Sequence, residues 1–262
     1  MLRSAYSICP SSYQLGSDQA PFGPSPVRTT SSHRGAPELI ATPPSINPQV
    51  DVWQVPHPGD YAGRGAANVL TKDDWAEIGA LGNSTLRRRA FGMRIFLREA
   101  LSGAVNDAVA PGEWRFQRTV YGKPYVANSA HSIEFSISHA DTVSFLAITR
   151  SARVGIDVAA RSAGNCEEIA EEFFTRAERA MLNRATAAER EETFLRIWTA
   201  KEAFAKLLGV GLAFDAPAND CGTGTHLATW TGNTPDSRVI ISLAIDQPVE
   251  RHAHPAPRSS EH

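Results

Sequence analysis

The pattern of apolar and polar residues over 194–208 is the one around which the rest of the chain is interpreted. Its apolar positions repeat at the spacing that lines one face of a helix, and Gly209 is a typical helix stop. When the segment is laid out at about 100° per residue, Lys201 falls inside the apolar arc and Glu202 lies on its edge. An ionised group that is buried without a partner is costly, so these two charges need a counter-ion, a metal or a ligand. The apolar positions are Phe194, Ile197, Trp198, Ala205 and Leu208.

Two explanations of these charges remain open at this point. Glu202 and Lys206 are four residues apart and could pair along the helix, which stabilises an exposed helix by about 0.2 to 0.5 kcal/mol. That pair accounts for Lys206 but leaves Lys201 without a counter-ion. The pattern therefore predicts a second carboxylate elsewhere in the chain.

The segment from Ile133 to His139 alternates and predicts a strand. Its pattern places Phe135, Ile137 and His139 on one side, so His139 is expected at the end of a core-facing row. A single histidine in such a position is more often a structural residue than a ligand.

Two further apolar runs, 143–149 and 154–158, predict a β-hairpin. In the second run Asp157 projects on the side opposite the apolar residues, next to Gly155. Because glycine has no side chain, we expect room there for a bulky group. Asp157 is the second carboxylate that the helix requires.

A predicted helix over residues 86–101 carries five arginines, most of which are expected on a solvated face. Consecutive arginines near a helix start do not suit the helix dipole, which favours acids there, so they indicate a bound anion. Before this helix, residues 50–55 alternate like a strand. The five arginines are Arg87, Arg88, Arg89, Arg94 and Arg98.

The remaining segments give weaker signals. Residues 114–120 predict a strand, followed by a tight turn over 121–125 with Lys123 at its apex. Residues 167–174 predict a helix, and residues 239–244 predict a strand. Thr175 and Glu178 form a capping-box pattern that starts another helix, so Glu178 is expected to be structural.

Composition narrows the class of protein. The chain has 262 residues with 42% hydrophobic content, enough for a core, and a net charge of -2, which does not favour nucleic acid. Its three cysteines fit neither a disulfide framework nor a zinc site. Neither a membrane span nor a secretory signal is apparent, so we expect a cytoplasmic protein. Residues 1–48 are rich in Pro, Ser and Thr and are expected to be disordered or loosely packed, as is the tail over 247–262.

Several motifs occur together in one order. They are Gly122-Lys123-Pro124, Ser136-Ile137-Ser138-His139, Val154-Gly155-Ile156-Asp157-Val158, Phe173-Phe174, Glu178 and Trp198-Thr199-Ala200-Lys201-Glu202-Ala203-Phe204-Ala205-Lys206 with Gly209 and Gly211. This set resembles the signature of the 4'-phosphopantetheinyl transferases, and its spacing is similar to that of the surfactin-type branch. The resemblance covers roughly residues 50 to 245.

The resemblance implies an α+β fold that is a pseudo-dimer of two similar α/β halves. We expect an N-terminal half over residues 49–132, on the adenylate side of coenzyme A. A C-terminal half over residues 133–246 would carry the metal and catalytic motifs. The internal duplication is not visible in the sequence itself. A chain with both halves of the site needs no second copy, so a monomer is expected.

The resemblance also implies roles for individual residues. Asp157 and Glu202 would bind Mg²⁺, with water and the coenzyme A diphosphate as further ligands. The other residues implied to bind the cofactor are Arg89 at the ribose 3'-phosphate, Gly122, Lys123 and Pro124 at the adenine end, His139 and Lys206 at the phosphates, and Ser138 and Lys201 within the motifs. Lys201 would add positive charge or orient Glu202.

The implied reaction is attack by a carrier-protein serine on the β-phosphorus of coenzyme A, giving holo carrier and 3',5'-ADP. Mg²⁺, Lys206 and His139 would share the neutralisation of charge, and either Glu202 or a metal-bound water would take the serine proton. Many relatives have a second acid where this chain has Ala159, so weaker metal binding is expected. Two other classes stay open: a metal-dependent hydrolase of the coenzyme A pyrophosphate, and a carrier-binding scaffold without catalysis.

Overall fold

The computed structural model describes residues 37–43, 46, 50–57, 66–128, 131–140, 142–150, 152–160, 166–210 and 225–246. The helices are α1 (Ala66–Val69), α2 (Lys72–Gly79), α3 (Ser84–Ala104), α4 (Cys166–Phe173), α5 (Arg176–Arg184) and α6 (Arg190–Leu208). The strands are β1 (Glu38–Ile40), β2 (Val50–Pro56), β3 (Phe116–Arg118), β4 (Pro124–Val126), β5 (Ile133–Ala140), β6 (Val143–Arg150), β7 (Val154–Ala159), β8 (His226–Asn233) and β9 (Arg238–Ile245). No helix in these ranges is long and apolar enough to cross a membrane.

The two halves of the chain repeat one topology. The first sheet has the order β1-β2-β6-β5 and the second has the order β7-β9-β8, with antiparallel pairing throughout. If β1 is set aside, each sheet has three strands. In each sheet, the strand that comes first in sequence pairs with the strand that comes last, and that last strand pairs on its other edge with the strand that comes second in sequence. A long helix, α3 or α6, lies in sequence between the first and second of these strands. The α+β fold is therefore confirmed, and its duplication appears in the topology.

The hydrophobic residues pack in layers around these two sheets. One core joins their inner faces, through residues such as Val52 and Phe145 from the first sheet and Ile156 and Leu243 from the second. The outer face of the first sheet packs against α3, and α6 packs against the outer face of the second. Burial of these apolar faces is the main stabilising contribution. The core therefore determines which side of each strand remains available for a site.

Serine hydroxyls join the neighbouring edge strands of the two sheets. Ser136 Oγ accepts a hydrogen bond from the Ile156 N–H at 3.1 Å. Ser138 Oγ accepts one from the Val158 N–H at 3.2 Å. Side chains thus satisfy the backbone donors of β7 that face β5.

The predicted hairpin of residues 143–149 and 154–158 is wrong. Both runs are strands, but β6 belongs to the first sheet and β7 to the second, where Asp157 lies opposite Ser242 in β9. The local sequence pattern cannot distinguish a hairpin from a connection between two sheets, because in both cases one apolar strand is followed closely in sequence by another. The face prediction is confirmed, since Val154 and Ile156 belong to the core between the two sheets, whereas Asp157 lines the cleft.

Other predicted elements are confirmed with shifted bounds. The helices expected over 86–101, 167–174 and 194–208 are α3, α4 and α6, and the strand expected over 239–244 is β9. Gly209 ends α6 in the left-handed conformation, with φ of 72°. The strand expected over 114–120 shortens to β3.

Several elements were not predicted. Residues 38–40 lie in the segment expected to be loosely packed, yet they form β1 and pair with β2, so the prediction is wrong for those residues. Helices α1 and α2 and strand β8 were also missed. The remainder of 1–48 beyond 37–43 and 46, and the predicted tail over 247–262, lie outside the described residues.

Candidate functional site

Helix α6 lies directly against strand β7 at Gly155. A Cβ atom at that position would be 2.0 Å from the Ala203 carbonyl oxygen and 2.4 Å from the Leu207 nitrogen, so only glycine fits. The expected room for a bulky group is therefore filled by the helix backbone. The consequence is that side chains of α6 emerge beside Asp157.

Asp157 is held by two groups in the cleft between β5, β7 and α6. Lys206 Nζ lies 2.7 Å from its Oδ1 atom, and Ser138 Oγ donates to the same oxygen at 2.8 Å. The lysine ammonium also donates to Ser138 Oγ at 3.2 Å. Because Asp157 is only 7% exposed, these bonds offset the cost of burying its charge. They also fix the direction of the carboxylate.

Glu202 lines the same cleft as Asp157. Burial and then the negative charge of Asp157 raise the pKa of Glu202 to about 7, while Lys206 acts in the opposite direction. Two carboxylates thus line one cleft, and the charge of Asp157 disfavours ionisation of Glu202, an arrangement that a cation between them would relieve. Hard oxygen donors of this kind suit Mg²⁺.

The acid expected by resemblance two residues after Asp157 is replaced by Ala159, which also lines the cleft. Among the described residues, no group of three or more His, Cys, Asp or Glu side chains could hold a metal. The two carboxylates would fit a divalent cation whose remaining ligands came from other groups.

His139 lies at the mouth of the cleft rather than in the core. Its side chain is exposed at the end of a row in which Phe135 and Ile137 pack into the core beside α3, so the predicted position at the end of a core-facing row is confirmed. Desolvation of the ring, and then the positive charges of Arg89, His57 and Lys206, lower the pKa of His139 to about 4. The ring is thus neutral at pH 7. Its Nδ1 atom lies 2.6 Å from Ser144 Oγ, a contact that the sequence pattern gave no means of finding.

Apolar side chains form the other wall of the cleft. Ile137, Ile169, Phe194 and Trp198 contribute to it, and Trp198 stacks on Phe194 with ring centroids 6.3 Å apart. The helix pattern placed Phe194 and Trp198 in the core, and Phe194 is indeed 2% exposed. The cleft therefore combines a charged side with an apolar one.

Lys201 does not line the cleft. It is 4% exposed, and its ammonium lies 2.9 Å from Glu178 Oε2. The prediction that Lys201 contacts the cofactor is therefore corrected: its counter-ion is the capping-box residue of α5. The same Glu178 oxygen accepts from the Thr175 N–H at 2.7 Å, which confirms the structural role expected of Glu178.

The Lys123 ammonium connects the two halves of the fold. It donates to the carbonyls of Val154 and Leu207, each at 3.2 Å, and burial lowers its pKa to about 8. Its side chain is thus directed to the start of β7 and the end of α6, and we correct its predicted role as a cofactor ligand. The lysine also sits at the base of the turn. Val120 in this turn is 92% exposed.

Gly122 and Pro124 remain beside Lys123 in the β3–β4 turn. Gly122 has φ of 87°, which is in the left-handed region that favours glycine. Its N–H donates to the Thr119 carbonyl at 2.9 Å, so the predicted tight turn is confirmed.

The five arginines of α3 do not share one environment. Arg98 is 2% exposed and pairs with Asp74 at 2.6 Å, and Arg94 pairs with the same carboxylate at 2.8 Å. The expected solvated face is therefore wrong for these two residues. Arg87 and Arg88 are exposed. Arg89 is half-buried, and its charge acts on His139.

Comparisons with known proteins agree on one family. A sequence model described as the 4'-phosphopantetheinyl transferase superfamily matches residues 153–244, which contain Asp157, Glu202 and Lys206. The chain is 28% identical over 182 residues to the 4'-phosphopantetheinyl transferase HetI of Nostoc sp. (strain PCC 7120 / SAG 25.82 / UTEX 2576). That match covers 66% of this chain and 76% of HetI.

Two further relatives match over shorter lengths. The human L-aminoadipate-semialdehyde dehydrogenase-phosphopantetheinyl transferase is 31% identical over 162 residues, covering 57% of this chain and 52% of the relative. The 4'-phosphopantetheinyl transferase gsp of Aneurinibacillus migulanus is 35% identical over 97 residues, covering 37% and 39%. The chain thus spans about half of the human protein and less than half of gsp.

Proposed function

Because the chain belongs to the 4'-phosphopantetheinyl transferase superfamily, we propose that it transfers 4'-phosphopantetheine from coenzyme A to a serine of an acyl or peptidyl carrier protein. The products are holo carrier and 3',5'-ADP. One observation carries the proposal: Asp157 and Glu202 line one cleft together with Lys206 and His139. In this arrangement two carboxylates that could hold a cation lie beside a lysine and a histidine that could donate hydrogen bonds to phosphate oxygens.

The chemistry requires a new bond from the serine oxygen to the β-phosphorus and loss of the bond from that phosphorus to the bridging oxygen. The serine proton must be removed, and we propose that Glu202 accepts it, because its carboxylate lines the cleft that the serine must enter. Lys206 supplies a positive charge beside Asp157, and His139 supplies a ring nitrogen at the mouth of the cleft. These groups stabilise the charge that develops on the leaving 3',5'-ADP.

Asp157 and Glu202 would hold the magnesium ion that the family implies. When bound, the ion neutralises charge on the diphosphate and orients it. Ser138 supports this role of Asp157, because its hydroxyl donates a hydrogen bond to the Asp157 carboxylate and fixes its orientation. We therefore assign Ser138 to positioning rather than to direct cofactor binding.

The adenylate end of coenzyme A is proposed to lie near Arg89, Gly122 and Pro124. The electrostatic effect of Arg89 on His139 supports the position proposed for Arg89. Both sheets and both long helices come from one chain, which supports a monomer. A cytoplasmic location fits this chemistry, since coenzyme A is its substrate.

The test is incubation of the protein with coenzyme A, Mg²⁺ and a set of apo carrier proteins, followed by mass spectrometry of the carriers. A gain of one phosphopantetheine on a carrier serine supports transfer. Formation of 3',5'-ADP without a modified carrier indicates a hydrolase, and neither product indicates a scaffold. Asp157→Ala should abolish transfer, whereas Glu172→Ala, an exposed change on α4, should not alter it. Undiminished transfer by Asp157→Ala would contradict the site assignment.

A further inference from the structure

Two histidines meet at one serine hydroxyl across three adjacent segments of the first sheet. His57 follows β2, Ser144 lies in β6 and His139 lies in β5. In the ladder Ser144 is directly opposite His139, and on its other side it is opposite Val55, two residues before His57. Residues two apart on a strand share a face, so the three side chains point the same way.

The distances show a continuous hydrogen-bonded chain. Ser144 Oγ lies 3.0 Å from His57 Nε2 and 2.6 Å from His139 Nδ1. Ser144 is 1% exposed, so its hydroxyl depends on these partners. A serine has one hydrogen to donate, and a neutral imidazole has one N–H and one acceptor nitrogen. The serine oxygen could accept from both rings, but its own hydrogen would then have no acceptor among the hydrogen-bond partners of Ser144 in the described residues. The arrangement that satisfies this buried hydroxyl has one histidine donating to the serine and the other accepting from it.

The two lengths favour one direction. Hydrogen bonds donated by a ring N–H centre on about 2.9 to 3.0 Å, whereas hydroxyl groups donate over shorter distances of about 2.5 to 3.0 Å. The 3.0 Å contact thus fits donation from His57 Nε2–H to Ser144, and the 2.6 Å contact fits donation from Ser144 to His139 Nδ1. Accepting at Nδ1 leaves the proton of His139 on Nε2, the ring nitrogen still available to a ligand in the cleft.

We propose that His57 and Ser144 are positioning residues that hold His139 in the Nε2–H tautomer, so that the neutral ring donates a hydrogen bond to an anionic oxygen in the cleft. The identity of that oxygen, on the coenzyme A diphosphate, rests on the proposed function. The tautomer itself does not.

The surrounding charges make the tautomer matter. Arg89, His57 and Lys206 disfavour an imidazolium at His139, after desolvation of the ring itself. A neutral imidazole donates at Nε2 only in one of its two tautomers. Without the Ser144 hydroxyl, a lone pair could face the cleft instead and would repel an anion.

The direct test is nitrogen NMR of the histidine rings at pH 7, without coenzyme A or carrier. The wild-type protein should show His139 protonated at Nε2 alone. Ser144→Ala should give a mixture of tautomers, and Ser144→Thr, which keeps the hydroxyl, should restore the single form. A wild-type ring protonated at Nδ1, or an unchanged tautomer in Ser144→Ala, would overturn the proposal. Failure of the proposed transferase activity would leave this readout unaffected.

A kinetic test then addresses the role. Ser144→Ala should raise KM for coenzyme A by roughly tenfold, because one hydrogen bond to the ligand is lost. Ser144→Thr should have a KM close to that of wild type. His57→Phe should also raise KM for coenzyme A. The control His226→Gln, at the exposed start of β8, should leave KM unchanged. A KM in Ser144→Ala equal to that of wild type would count against the positioning role. Thermal unfolding of each variant shows that the comparison is made between folded proteins.

Discussion

Lys206 in the last turn of α6 pairs with Asp157 in the middle of β7 at 2.7 Å. The pair forms because Gly155, two residues before Asp157, lets the helix backbone come within contact of the strand. One glycine thus brings a helix-borne cation and a strand-borne carboxylate to the same cleft. The site depends on this packing as much as on the charged residues themselves.

Lys206→Met should remove the positive charge that faces the phosphates. By analogy with the loss of one preorganised donor, transfer should fall by about 100- to 1,000-fold in kcat. Lys206→Arg retains the charge and should be affected less. The measurement is steady-state transfer to an apo carrier, and a Lys206→Met enzyme with wild-type kcat would exclude the assigned role.

Gly155→Ala should force α6 away from β7, because the new methyl group would overlap the Ala203 carbonyl. Overpacking of this kind costs about 1 to 3 kcal/mol or more, so the urea midpoint should fall and transfer should be lost. Gly103→Ala is a matched control in α3, since nothing lies within 4 Å of its Cβ position. That variant should be unchanged or more stable by up to about 1 kcal/mol. Equal stability of the two variants would refute the packing argument.

Lys201→Met should destabilise the protein without touching the cleft. Removing one partner of a buried pair leaves Glu178 charged and uncompensated, which costs about 3 to 5 kcal/mol. The exposed change Lys72→Met should cost less than about 0.5 kcal/mol. Chemical denaturation measures both. KM for coenzyme A in the folded fraction of Lys201→Met should equal that of wild type, and a large rise would restore Lys201 as a cofactor ligand.

The carboxyl of Glu202 should make stability depend on pH. Burial and then Asp157 raise its pKa from 4.5 to about 7, so the folded state holds this proton more tightly than the unfolded state. Its contribution to stability therefore falls as pH rises from about 4.5 to 7 and is constant above that range. In chelator-treated protein, the stability of Glu202→Gln relative to wild type should increase over this window. A difference that does not vary with pH would show that Glu202 is not perturbed.

The sequence predicted the residues of the site better than their partners. Asp157 and Glu202 could be recognised because helix periodicity placed Glu202 on the edge of an apolar arc and strand periodicity placed Asp157 opposite the apolar residues. Both residues also belong to the motifs. The pairing of Lys201 with Glu178 could not be predicted, since it depends on how α5 packs against α6. The roles of Lys123 and Ser144 also depend on contacts between segments that are distant in sequence. Local pattern carries no information on such contacts.

The same limit applied to the fold. Long amphipathic helices and buried strands were predicted from their periodicity, but the assignment of β6 and β7 to different sheets was not. Strand β8 has Gly232 and several polar residues and exposes one side, so its apolar pattern was weak. The duplication is visible in the structure as the matching strand order of the two sheets. It was not visible in the sequence, because two segments can share a topology without sharing similar side chains.

The central claim is that Asp157 and Glu202 together hold one divalent cation against the coenzyme A diphosphate. The most direct measurement is a titration with Mn²⁺, followed by electron paramagnetic resonance in the presence of coenzyme A, which needs no turnover. Wild type and the control Glu172→Ala should bind one ion with the same affinity, while Asp157→Asn and Glu202→Gln should each weaken binding by at least about tenfold. Unchanged Mn²⁺ affinity in either variant would contradict the claim.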